Sequence, residues 1–293
     1  MGRILSNMNF LMRALACFPL WLLHSFGGFL GWLTYVVSPG YRRRFKHNAK
    51  LAGIAADAQR AAVSAAGKML TELPPLWMRA QGRALPMPVT WAQPGLVEAA
   101  ASRGRGIVFL TPHLGCFEVS AQAYAEVYAR RFGKITVLYR PARKAWLRPL
   151  VDGSRRREGL DAAPATLAGV RQMIRALRRG ESVGLLPDQV PPEGMGEWAP
   201  FFGAPAYTMT LAARLVQQTG AAVLLCFAQR LARGRGYLIH LREFTEPLPD
   251  DPSQSAAVIN RAMESLILEC PEQYLWGYHR YKHPRQHAGQ GEA

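Results

Sequence analysis

Ile107-Val108-Phe109-Leu110-Thr111-Pro112-His113-Leu114-Gly115-Cys116-Phe117-Glu118 joins an unbroken apolar run to a histidine and then to a carboxylate. Four apolar residues in succession, closed by Thr-Pro, read as a strand buried on both faces. Pro112 disfavours helix before it and belongs at a helix start, so the chain turns at His113 and enters a helix over Cys116–Arg131. The same alternation continues downstream. Strands are expected at Ile135–Tyr139, Val183–Leu186, Ala222–Gln229 and Tyr237–Arg242. Helices are expected at Trp146–Arg157, Leu167–Arg179, Thr210–Thr219 and Pro252–Cys270. Strands separated by helices of this length imply an α/β fold with a mostly parallel central sheet flanked by helices.

Histidine titrates near neutral pH, so His113 can take a proton from a hydroxyl and later release it. Glu118 can hold the ring through Nδ1–H and balance the imidazolium charge. In one regular helix a separation of five places two side chains roughly 140° apart, too far round to pair. The dyad therefore requires His113 in the loop and Glu118 inside the helix. Gly115 would let substrate approach the backbone closely. The plainer reading of these residues is a helix-capping histidine with a solvated glutamate.

The chain of 293 residues has 36 basic against 20 acidic residues, a net charge of +16, which indicates polyanionic partners. Cys17, Cys116, Cys226 and Cys270 are widely spaced and form no C-x-x-C pair, against a disulfide framework or a zinc knuckle. From Ala14 to Ser38 there is no Asp, Glu, Lys or Arg. As one helix this stretch would cover roughly 37 Å, enough to cross a bilayer core. Pro19, Gly27, Gly28 and Gly31 make the segment less regular than an ideal span and leave a membrane-embedded hairpin or in-plane insertion open as a variant. The cluster Arg42-Arg43-Arg44-Phe45-Lys46 follows and outweighs Arg3 and Arg13, which puts the bulk of the chain on the cytoplasmic side. Residues 1–45 are thus expected to form a membrane anchor with a basic juxtamembrane segment, 46–283 a catalytic domain, and 284–293 a disordered tail. Between anchor and sheet, Asp57–Gln81 is helical in pattern with a break at Pro74-Pro75.

Further motifs follow in order: Tyr139-Arg140-Pro141, Arg155-x-Arg157-x-Gly159, Leu186-Pro187-Asp188-Gln189, Pro200-Phe201-Phe202-Gly203, Pro271-Glu272-Gln273-Tyr274-Leu275-Trp276 and His279-Arg280-Tyr281-Lys282. His113-x4-Glu118 after a strand resembles the first motif of glycerolipid-type acyltransferases. The whole series resembles the lipid A late acyltransferases, the lauroyl/myristoyl transferases of Gram-negative bacteria, over nearly the whole chain. The resemblance implies acyl transfer from acyl carrier protein to a hydroxyl of a Kdo-bearing lipid A precursor, at the inner membrane. His113 and Glu118 would be the general-base dyad, and Arg140, Arg155, Arg157 and Asp188 would bind substrate. Arg140 ends a strand on the edge where open α/β sheets place ligands. Arg155 and Arg157 are favoured over Arg156 by the family's R-x-R element. Where the wider superfamily has Glu-Gly-Thr-Arg, this chain has Asp188-Gln189-Val190-Pro191, which favours a saccharide-lipid acceptor. An acid cannot bind phosphate directly, so Asp188 is expected to orient an arginine or a sugar hydroxyl.

No metal or other cofactor is expected. His279, His283 and His287 share a helical spacing, but Pro284 interrupts it. Cys116 reads as packed core. Two other readings remain: an acyltransferase for a lysophospholipid, mannosylated lipid or ornithine lipid, and a non-catalytic basic module tethered to the membrane. Nucleic acid is not an expected partner, because the basic residues are dispersed over no recognised nucleic-acid fold. Anionic inner-membrane lipids are.

Overall fold

Ser38 ends one helix and starts the next: its hydroxyl accepts from Tyr41 N, and Pro39 occupies the first helical turn. Such local signals divide the N-terminal third into α1 (Gly2–Ala16), α2 (Leu20–Val37), α3 (Pro39–Leu51), α4 (Ala56–Thr71) and α5 (Leu73–Trp77). The computed structural model describes residues 2–139 and 157–285. The uncharged stretch Ala14–Ser38 is not one span, because the chain breaks between α1 and α2 before Pro19. α2 rises about 27 Å, comparable with a bilayer core of about 30 Å. Leu20, Leu23, His24, Gly27, Gly28 and Gly31 form its buried stripe. That stripe packs on α4 with backbones almost touching: a Cβ added at Gly67 would lie 1.9 Å from Gly27 O.

The core of the fold is a seven-stranded sheet in the order β1-β9-β8-β2-β5-β3-β4. Its strands are β1 (Val89–Trp91), β2 (Ile107–Leu110), β3 (Ile135–Tyr139), β4 (Leu160–Pro164), β5 (Ser182–Leu185), β8 (Ala222–Arg230) and β9 (Tyr237–Glu243). β8, β2, β5, β3 and β4 run parallel, whereas β9 is antiparallel to β8 and β1 follows β9. β6 (Gly196–Phe201) and β7 (Ala204–Met209) form a separate hairpin, whose turn, Phe202-Gly203, ends the Pro200–Gly203 motif.

Helices cover both faces. In β2, Val108 and Leu110 join one apolar cluster with α9 (Leu167–Arg178), α10 (Leu211–Thr219) and α11 (Pro252–Glu269). Ile107 and Phe109 join the other, under α6 (Gly95–Ala101) and α7 (Phe117–Val127). The unbroken apolar reading of β2 has this cause: neither face meets water. The expected helix Cys116–Arg131 is interrupted at Tyr128, after which α8 (Ala129–Phe132) ends at Gly133. Of the expected helix Trp146–Arg157, all but Arg157 lies outside the described residues.

Candidate active site

β2 and β5 are hydrogen-bonded parallel neighbours, and Thr111 N extends their ladder by donating to Leu185 O at 3.1 Å. Residues just past their carboxyl ends therefore meet, although far apart in sequence. From β2 comes His113 and from β5 comes Asp188. His113 Nδ1 lies 2.8 Å from Asp188 Oδ1, and His113 N donates to Asp188 Oδ2 at 2.9 Å. An ionised carboxylate only accepts, so Nδ1 carries the hydrogen and Nε2 presents a lone pair. The Phe117 ring meets the imidazole edge-on at 4.8 Å between centroids.

Asp188 is 1% exposed. Burial alone would raise its pKa, but the His113 charge and hydrogen bonds, helped by Arg280, hold it below the usual carboxylate value. Tyr274 completes the carboxylate shell, donating its hydroxyl to Oδ2 at 3.2 Å. Burial, and then the Asp188 charge, push the Tyr274 phenol well up, so it remains a donor. Arg280 is itself buried and donates to Tyr207 O at 2.7 Å and Thr208 Oγ1 at 2.6 Å. It thereby ties the β6–β7 hairpin to this corner.

The turn carrying His113 is clamped by backbone. Leu275 N donates to His113 O, Gly115 N to Gln273 O, and Cys116 N to Ala228 O. Gly115 has φ +60, and a Cβ there would lie 1.9 Å from Ala228 O. Only glycine fits against β8 in that conformation. The Pro271–Trp276 motif thus has a physical purpose that its sequence does not announce.

Beside Phe117 an apolar cavity of about 50 Å³ runs under the sheet, lined by Trp91, Phe109, Phe117, Tyr124, Val137 and Cys226 among others. Phe117 touches both the cavity and the His113 ring.

Of the residues singled out in the sequence, the structure brings His113 and Asp188 together. The Nδ1 contact expected of Glu118 is made by Asp188, which the end of the neighbouring strand brings to the ring; Glu118 stands half-buried in the first turn of α7. Asp188 bonds the histidine through both its ring and its backbone, with the Arg280 charge nearby. Arg157 precedes β4, at the opposite edge of the sheet, and caps α5 and the turn after it. It donates to Leu76 O at 2.8 Å, Trp77 O at 3.1 Å and Arg79 O at 2.9 Å. Arg140 and Arg155 lie outside the described residues. Tyr274 and Arg280 were visible only as letters of later motifs; their spacing carries no sign of Asp188.

Residues 3–283 match the family model described as bacterial lipid A biosynthesis acyltransferase. The chain is 34% identical over 114 residues to the lipid A biosynthesis palmitoleoyltransferase of Escherichia coli K12, covering 39% of this chain and 37% of that protein. It is 34% identical over 115 residues to the lipid A biosynthesis lauroyltransferase of the same organism, covering 39% and 38%. A lipid A biosynthesis acyltransferase of Haemophilus influenzae is 27% identical over 184 residues, 61% of this chain and 55% of that protein. The matched segments thus span between about a third and just over half of these relatives' lengths.

Proposed function

The chain belongs to the bacterial lipid A biosynthesis acyltransferase family, and from that premise we propose that it transfers a fatty acyl group onto a hydroxyl of a lipid A precursor. The observation that carries the reading is the 2.8 Å contact between His113 Nδ1 and buried Asp188. It leaves Nε2 as the base. Nε2 takes the proton of the acceptor hydroxyl as the oxygen attacks a thioester carbonyl. The tetrahedral intermediate collapses with loss of the C–S bond, and the imidazolium returns its proton to the thiolate. The α7 N-terminus, which begins at Phe117, offers a positive dipole end for the oxyanion. Glu118 adds a second carboxylate at the same edge and balances charge there.

The donor in this reading is acyl carrier protein and the acceptor a Kdo-bearing precursor, both anionic, in keeping with a net charge of +16. The apolar cavity beside Phe117 takes the start of the acyl chain. At about 50 Å³ it holds only a few water-sized molecules, so a fatty chain has to widen it. α2 keeps Trp21, Phe26, Phe29, Trp32, Val36 and Val37 exposed, an apolar face suited to the cytoplasmic leaflet of the inner membrane.

The test is transfer from acyl carrier protein to a panel of acceptors by purified protein, followed by mass spectrometry of the products. The Kdo-bearing precursor is expected to be acylated, and His113→Ala to lower the rate by about 10²–10⁴-fold. Acylation of a lysophospholipid or ornithine lipid in its place would overturn the acceptor assignment. A His113→Ala rate within a few-fold of wild type would overturn the mechanism.

A further inference from the structure

A buried charge cluster that the acyl-transfer steps do not use lies beneath the His113 turn. Glu72, at the end of α4, is fully buried. Its Oε1 accepts from Arg230 Nε at 2.6 Å and from His24 Nε2 at 2.8 Å. Arg230 is the last residue of β8, and its Nη2 donates to Gly115 O at 2.6 Å, two residues beyond His113. Gln273, which also holds the turn, bonds the Arg230 backbone in both directions at 2.8 and 3.1 Å. One guanidinium therefore joins the catalytic turn to Glu72, and Glu72 joins it to His24 on the apolar helix α2.

Stability does not account for this cluster. Among the described residues Arg230 Nη1 has no hydrogen-bond partner, while the Cys116 thiol and Tyr237 hydroxyl lie buried against the Glu72 carboxylate, whose charge adds to the effect of burial in pushing both well up. A buried ion group left partly unpaired stabilises a fold less than apolar packing of the same volume. What the cluster does supply is direction, since a planar fork held by a carboxylate can aim at only one carbonyl.

α2 is seated on the same elements. Thr71 Oγ1 donates to Leu23 O at 2.8 Å, and a Cβ added at Gly234, in the loop after β8, would lie 2.4 Å from Trp21 N. We propose that Arg230 is a positioning residue for the His113 turn, and that Glu72 and His24 make its aim depend on the seating of α2. The apolar outer face of that helix then links the membrane to the catalytic geometry. The inference rests on the acyl-transfer reading, because the turn being positioned is the one that carries the general base.

The experiment uses full-length protein with three changes: His24→Leu, Arg230→Lys, and the charge-neutral pair Glu72→Gln with Arg230→Met, which leaves no buried ion unpaired. Steady-state kinetics, thermal melting and the rate of His113 carbethoxylation by diethylpyrocarbonate are measured on each. The neutral pair is expected to melt near wild type yet lose about 10- to 100-fold in kcat, with KM for both substrates nearly unchanged. Arg230→Lys should not rescue, since an ammonium cannot reach Glu72 and Gly115 O as a fork. His24→Leu should lose less, in the same direction, and the His113 modification rate should shift in the same order. Wild-type kcat and modification rates in the neutral pair and in His24→Leu would overturn the inference, as would losses that merely track melting temperature. A wild-type protein with no acyl transfer to any acceptor would instead overturn the functional reading. The modification rates would then still decide whether Arg230 positions the turn.

Discussion

His113 can act as a base only while Nδ1 keeps its hydrogen, and in this fold that depends on Asp188. Replacing Asp188 with asparagine retains size and one acceptor but lets the side chain donate to Nδ1, which favours the wrong tautomer. On the proposed reading Asp188→Asn lowers kcat by about 10³–10⁴-fold, close to the loss for His113→Ala, and KM moves little. Pre-steady-state acyl transfer would check this, and an Asn variant with most of its activity would give Nδ1 another partner in turnover. The buried carboxylates also make stability depend on pH. Burial alone would raise Glu72, but the Arg230 charge and the hydrogen bonds from His24 and Arg230 lower it from 4.5 to about 2. Its folded pKa is thus depressed, so its contribution is fully present above the ordinary carboxylate value and is lost as pH falls toward 2. Asp188, also depressed, acts in the same sense. Melting temperature should therefore drop steeply below about pH 4.5, and the Glu72→Gln/Arg230→Met pair should flatten that drop. Identical acid profiles for the two proteins would remove Glu72 from the linkage.

Arg157 shows how an arginine motif can serve packing. Its guanidinium collects three carbonyls around the end of α5 and the turn after it, where the helix stops and leaves its last carbonyls without intrahelical donors. Arg157→Ala should cost about 1.5–3 kcal/mol of stability, measured by urea denaturation, while kcat of the folded enzyme stays within a few-fold. A large loss of kcat at unchanged stability would return Arg157 to the substrate site. The parts of the fold readable from sequence are those whose signals are local. β2, β3, α9, α10 and α11 each show an apolar run or a helical period with a cap, and all appear within a residue or two of their expected bounds. β4 (Leu160–Pro164) and the β6–β7 hairpin were missed because Asp161, Glu197, Pro200 and Pro205 mask any alternation, and the hairpin lies outside the main sheet. His113 could be read for the same reason as β2, from its strand and turn. Its partner could not, because a pairing across adjacent parallel strands leaves no trace in spacing. Glu118 was near in sequence and Asp188 near in space.

On the proposed reading, the N-terminal helices set how the protein meets a membrane. α2 is the one described helix long and apolar enough to cross a bilayer, yet a third of it is buried in the protein. A helix docked along one side on α4 cannot be surrounded by lipid, which favours a half-immersed helix beside the sheet over a free-standing span. Two terms then contribute to binding: the exposed face with Phe29, Trp32 and Val36, and the basic cluster Arg42, Arg43, Arg44 and Lys46 on α3. They can be separated because they respond to different variables. Fully burying one large apolar side chain is worth about 1.5–3 kcal/mol and is little affected by salt. Each basic residue near an anionic surface is worth about 1 kcal/mol and is screened within a Debye length of about 10 Å at 0.1 M salt. Changing Phe29, Trp32 and Val36 together to serine leaves the glycine stripe and His24 in place. That variant should lose at least about tenfold in partition to vesicles containing anionic lipid, and what binding remains should vanish at high salt. Changing Arg42, Arg43 and Arg44 to glutamine should do the reverse, weakening binding at low salt and leaving a salt-insensitive remainder. Vesicle co-sedimentation across a salt series reads both. If the serine variant binds as wild type at 1 M salt, α2 is not the membrane contact, and the attachment has to be sought on another face.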